Sequence, residues 1–85
     1  GGTKTLSKTL SAYITEGVIA EALTAIQARH PSVEIGSYPF IRQGRLGVSL
    51  VSRSADEAAL AGCHAEIKAM LLSHTKEVLE EDLAA

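Results

Sequence analysis

Along this chain the hydrophobic pattern switches between strand period and helix period, and each switch falls at a turn or capping signal. That alternation restricts the fold more than any single motif does. From Thr5 to Ile14, Leu6, Leu10, Ala12 and Ile14 fall on one side, interrupted by Lys8. Thr5, Ser7, Thr9, Ser11 and Tyr13 fall on the other, the pattern of a half-buried strand. Thr15 then occupies an N-cap position. Ile19, Ala22, Leu23 and Ile26 follow helical spacing, with Glu16 in the first turn and Arg29 in the last, as the helix dipole prefers. Pro31 ends the pattern, so the spacing predicts a helix over 16–29.

Val33 and Ile35 alternate with Glu34 and Gly36, a short second strand that Ser37-Tyr38-Pro39 is expected to stop. After a glycine-broken loop, Leu46, Val48 and Leu50 alternate with Gly47, Ser49 and Val51 in a third strand ending near Arg53. Ser54-Ala55-Asp56-Glu57 reads as a capping box. It opens a second helix whose Leu60, Cys63, Ile67, Met70, Leu71 and His74 share one face. Gly62, inside that helix, is read as a point of close approach to the sheet.

The order β-α-β-β-α, with a right-handed crossover, predicts an α+β open-faced sandwich. It has a three-stranded sheet of order 1-3-2 with two helices on one face, half of a ferredoxin-like layout. The other face would carry Thr5, Ser7, Thr9, Ser11, Tyr13, Ser49 and Val51 toward solvent or a loose partner. Residues 4–75 form the single domain in this reading, 1–3 a linker or cloning remnant, and 76–85 an acidic tail or helix extension.

The 85 residues suffice for one domain, and 46% hydrophobic content suffices for a core. No apolar run is long enough to cross a bilayer. The single cysteine, Cys63, excludes an internal disulfide and suits the cytoplasm. On an apolar helix face it reads as a packing residue. His30, His64 and His74 lack metal-ligand spacing, so no metal site is expected. No nucleophile elbow, phosphate loop or dinucleotide fingerprint is present, so no catalytic residue is assigned. A net charge of −2 argues against general nucleic-acid binding, which draws its affinity from phosphate neutralisation. Gly44-Arg45-Leu46-Gly47 matches the GxxG of KH modules, but between strands rather than helices.

The stretch from Gly36 to Phe40 carries two readings. In one it is a strand terminus: Gly36 for close approach, Pro39 to stop pairing, Tyr38 and Phe40 for aromatic mass. In the other it is a docking edge or ligand rim made of Gly36, Ser37, Tyr38, Phe40, Arg42 and Arg45.

Taken together, Pro31 to Pro39 and the helix start at Ser54 to Glu57 resemble a small KH-like domain. It is the one that follows the molybdopterin-binding-like domain in competence/damage-inducible CinA-type proteins and their FAD-synthetase-like relatives. The resemblance runs from about Lys4 to Leu72. It implies one piece of a larger cytoplasmic bacterial protein. The neighbouring molybdopterin-binding-like domain would be its partner and would hold any molybdopterin-like or nucleotide ligand. In CinA-type proteins that domain carries pyrophosphatase activity on nucleotides such as ADP-ribose, and a separate C-terminal domain deamidates nicotinamide mononucleotide. No cofactor falls to the small domain itself. The resemblance thus implies a non-catalytic accessory role in docking, homodimerisation or lining a site rim. The alternative is an independent KH-like module binding single strands through Arg42, Arg45 and Arg53.

Overall fold

The computed structural model describes residues 4–81. Its elements are β1 (Leu6–Ala12), α1 (Glu16–Arg29), β2 (Glu34–Arg42), β3 (Arg45–Ser54), α2 (Glu57–Leu72) and β4 (Val78–Glu81). They form a four-stranded antiparallel sheet of order β2-β3-β1-β4 with two helices on one face, a complete β-α-β-β-α-β ferredoxin-like layout.

The fourth strand overturns the three-stranded sheet of order 1-3-2. The segment expected as an acidic tail or helix extension contains β4, which pairs with β1 from Thr9↔Glu81 to Ala12↔Val78. The physical reason is charge neutralisation at long range. Glu77 pairs with Arg45, Glu80 with Lys68 and His64, and Glu81 with Arg42. A run of acids reads as solvated only while its partners are unknown.

The register sorts the sheet residues cleanly. Leu10 sits opposite Leu50 and Glu80, and Ala12 opposite Val48 and Val78, on the face the helices cover. Leu10, Ala12, Val48 and Leu50 join Ile19, Ile26, Val33, Leu60, Cys63, Ile67 and Leu71 in one buried core. Lys8, the odd member of β1's apolar side, lies opposite Ser52 and one residue beyond the stretch of β1 that pairs with β4, and it is exposed.

Pro39 does not stop β2. In the register, Arg42 pairs with Arg45 across a two-residue turn, Gln43-Gly44, both with positive φ. Such a type I′ turn makes Arg42 a hydrogen-bonded pair with β3, so alternate residues from Glu34 onward face β3 and the others face the free edge. Pro39 is one of the others. Its missing N–H would have pointed away from the sheet, where no ladder bond is lost. Further along the same edge Gln27 of α1 acts as a substitute strand: its Oε1 accepts from the Ile35 N–H at 3.1 Å and its Nε2 donates to the Val33 carbonyl at 2.7 Å. Proline and glutamine together blunt this edge against pairing with another chain.

The helix starts differ from the expected pattern at one end. α1 begins at Glu16 behind Thr15 as read from sequence, although the Thr15 hydroxyl makes no cap bond. At α2 the cap is Asp56, whose carboxylate accepts from the Ala59 N–H at 3.0 Å. Ser54 instead donates to the Ser32 carbonyl and accepts from the Asp56 N–H, so it ties β3 to the loop after α1. Gly62 approaches α1, not the sheet: a Cβ there would meet only His30, at 3.9 Å.

Candidate functional site

The β2–β3 hairpin is longer than the rest of the sheet. Pro39, Val48, Ala12 and Val78 form the last row to which all four strands contribute. Beyond it only the hairpin continues, through Phe40↔Gly47, Ile41↔Leu46 and Arg42↔Arg45 to the turn. We refer to this overhang, residues 39–48, as the arm.

The arm coils across the open face of the sheet. In a flat ladder Arg42 and Glu81 would lie roughly 14 Å apart across three strands and roughly 20 Å apart along them. They are bonded nonetheless: Arg42 Nη1 donates to Glu81 Oε1 at 2.7 Å and Nη2 to Oε2 at 3.1 Å. Arg45 pairs with Glu77 at 3.2 Å. The coil brings aromatic groups together as well. The Arg42 guanidinium lies 4.1 Å from the centre of the Phe40 ring and that of Arg45 lies 3.8 Å from the centre of Tyr13. The two rings meet edge to face at 5.7 Å. Each contact is worth about 0.5–1.5 kcal/mol.

Small residues make the close approach achievable. Phe40 lies over Gly47, where a Cβ would overlap the ring and stand 2.8 Å from the Ala12 carbonyl oxygen. The Tyr38 ring folds back over Gly36, where a Cβ would fall 2.8 Å from Cε2. Beneath this layer Thr9, Ser11, Ser49 and Val51 are buried, and the Ser11 and Ser49 hydroxyls hydrogen-bond at 2.7 Å. This corrects the expectation that these residues face solvent or a loose partner: the sheet covers them with its own side chains.

Charges on the arm are compensated. Bonding to Glu81 raises the Arg42 pKa above its ordinary value, and the same contact lowers that of Glu81, with a smaller effect from the Ser11 hydroxyl. The Tyr38 hydroxyl beside Arg53 raises the latter's pKa. On the helix face, Lys68 and then His64 push the Glu80 carboxyl down to about 2, fastening β4 to α2. His30 and then Arg29 lower the Glu66 pKa where α1 meets α2. His30 and His64 are therefore structural partners of glutamates. Burial raises the Cys63 thiol pKa, an inert setting for a thiol. Among the described residues no group of three or more His, Cys, Asp and Glu could hold a metal, and no helix is long and apolar enough to cross a membrane.

Of the residues singled out from sequence, the structure brings Phe40, Arg42 and Arg45 into one cluster with Tyr13. Gly36 and Tyr38 form a second contact on the same face, next to Arg53. Ser37 stands on the other face, where its hydroxyl donates to Glu16 at 2.7 Å and holds the first turn of α1 to β2. The GxxG match resolves into a hairpin turn, Gly44, and a strand position under an aromatic ring, Gly47.

Sequence reasoning missed Ile41 and Leu46. They pair across the arm on its outer side and are 69% and 59% exposed. Leu46 read as a core residue of β3 because period alone does not reveal that the helices end before it. Glu77 and Glu81 were missed as partners because the ion pairs span separate elements.

The chain is a small two-layer β-α-β-β-α-β domain of the α+β class, whose charged and aromatic groups serve chiefly to hold one another. The family is shown by the match of residues 4–80 to the model of the FAD synthase middle domain, and the chain belongs to that family. Such a domain is an accessory part of a nucleotide-related protein. A search of the curated proteins returns no match. Among solved structures, a de novo designed protein, Foldit4, is similar with a TM-score of 0.55 and 17% identity, covering 94% of this chain and 97% of that one. At that identity the likeness concerns the fold alone.

Proposed function

We propose that this domain is a non-catalytic docking module of a longer, nucleotide-acting protein, with the β2–β3 arm as its docking element. In this reading the chemistry belongs to a neighbouring molybdopterin-binding-like domain of the kind found in CinA-type proteins, which holds the nucleotide or pterin ligand. The present domain sets the position of that unit, as a contact within one chain or across a homodimer.

The observation that carries the reading is the arm itself. It overhangs the last full row of the sheet, yet stacked guanidinium groups and ion pairs hold it in one conformation. A preordered element loses little conformational entropy on binding. Tyr38, 49% exposed beside it, adds an aromatic surface.

The test uses the full-length parent protein. Tyr38→Ala and Arg42→Ala should leave the domain folded, by circular dichroism, and reduce the parent's turnover or shift its oligomeric state. Unchanged kinetics and unchanged mass for both variants would refute the docking role.

A further inference from the structure

We infer that β4 is the latch of the arm: the two elements close across the open face of the sheet as one unit, and open as one unit while the core stays folded. The latch stands on contacts within the domain. That it governs docking rests on the docking reading of the arm.

Each element is weakly joined to the core. No residue from Phe40 to Gly47 belongs to the core cluster. β4 spans 4 residues, meets β1 only over Thr9 to Ala12, and packs Val78 alone against the core. Segments with few buried apolar contacts open at a lower free energy than the body of a domain.

The two are firmly joined to each other. Glu77 and Glu81 bracket β4, and Arg42 and Arg45 bracket the hairpin turn. Glu81 accepts from both arms of the Arg42 fork, at 2.7 and 3.1 Å, and Glu77 meets Arg45 at 3.2 Å. The Glu81 side chain is only 19% exposed, so salt screens its pair less than a surface pair.

A repulsion inside the arm makes this joint reciprocal. Arg42 and Arg45 are direct cross-strand partners, and like charges in that position destabilise a strand pair. Here each guanidinium has its own carboxylate, and both carboxylates come from the β4 segment. If β4 leaves β1, the two cations keep only their rings, Phe40 and Tyr13. If the arm leaves, β4 keeps only its short ladder and the bonds of Glu80 to His64 and Lys68. Opening either one therefore removes what holds the other. The order of the docking element is set by a strand on the far side of the sheet.

The experiment measures amide hydrogen exchange by NMR on the 85-residue chain. In the unmodified chain the amides that pair β4 with β1 should exchange faster than those of Ile26 and Ile67, which lie in the core. Equal rates would mean that only the whole domain opens, and would overturn the latch. Phe40→Ala and Tyr13→Ala each remove the ring contact that holds the arm to the end of β1, and neither residue belongs to β4. If arm and β4 open together, each variant should speed exchange in the β4–β1 ladder by about fivefold, the value of one aromatic edge contact. Phe40→Leu keeps most of the bulk and should act in the same direction. Ladder rates that stay at the parent value in these variants, while those of Ile26 and Ile67 rise, would overturn the inference, because β4 would then open by itself. In the full-length parent protein, Glu77→Gln with Glu81→Gln leaves every arm residue in place and should act as Arg42→Ala does. A parent sensitive to Arg42→Ala but indifferent to the glutamine pair would overturn the control of docking. Indifference to Arg42→Ala and Tyr38→Ala as well would refute the docking reading itself, while the exchange rates still decide the latch.

Discussion

Gly47→Ala probes whether the arm is held as described. A Cβ at this position would overlap the Phe40 ring and lie 2.8 Å from the Ala12 carbonyl oxygen, so ring and backbone would both have to shift. With backbone as well as ring in the way, overpacking here falls in the upper part of the usual range, at about 2–3 kcal/mol. Removing a glycine from a strand returns about 0.5–1 kcal/mol, which leaves a net loss of at least about 1 kcal/mol. Phe40→Ala alone forfeits the edge contact with Tyr13 and the stacking of Arg42, together about 1–2.5 kcal/mol. In the double variant the ring is absent, and only the contact with Ala12 opposes the new methyl group. The two losses should then fall short of additivity by about 1 kcal/mol. Urea unfolding followed by circular dichroism reads each value. With a slope of about 1 kcal/mol/M, Gly47→Ala should lower the midpoint by at least about 1 M. A midpoint within about 0.5 M of the parent, or strict additivity in the double variant, would refute the packing of Phe40 on Gly47.

Three further outcomes follow from other contacts. Gly62→Ala should raise stability by up to about 1 kcal/mol in the same assay, because the helix gains and the nearest atom beyond its own backbone stands 3.9 Å away; a loss would mean that α1 and α2 lie closer than described. Gln27→Leu should destabilise by about 1–3 kcal/mol, since the buried-side partners of Ile35 N–H and Val33 C=O disappear. It should also promote association through the uncovered edge of β2, measurable by light scattering. Stability should fall on acidification from about pH 5 toward pH 2. Glu80 is held near 2, below its ordinary 4.5, and Glu66 and Glu81 are lowered too, so the stabilisation is complete above the unfolded carboxylate range and lost as these groups protonate. Glu80→Gln should flatten this dependence in melting curves taken across that window.

Local physical chemistry determined much of this protein from the sequence. Helical spacing closed by Pro31 sufficed for α1, and Leu60, Cys63, Ile67 and Leu71 marked the buried face of α2, because both signals act within a few residues. The crossover rule placed β3 beside β1, and the match to the FAD synthase middle domain accords with the resemblance to FAD-synthetase-like relatives. Phe40, Arg42 and Arg45 were legible as a distinctive group, although their contacts were not.

Tertiary structure alone decided the rest, and in each case the reason is distance along the chain. Pro39 reads as a strand stop until the register shows its ring at a free edge. Glu77, Glu80 and Glu81 read as a solvated tail until β4 meets cations contributed by β2, β3 and α2. Thr9, Ser11 and Ser49 read as a wet surface until the arm coils over them. Ile41 and Leu46 carry the same alternation as the core residues of their strands. Only the point at which the helices end separates a buried leucine such as Leu50 from an exposed one such as Leu46, and that point is set by packing between layers rather than by any local pattern.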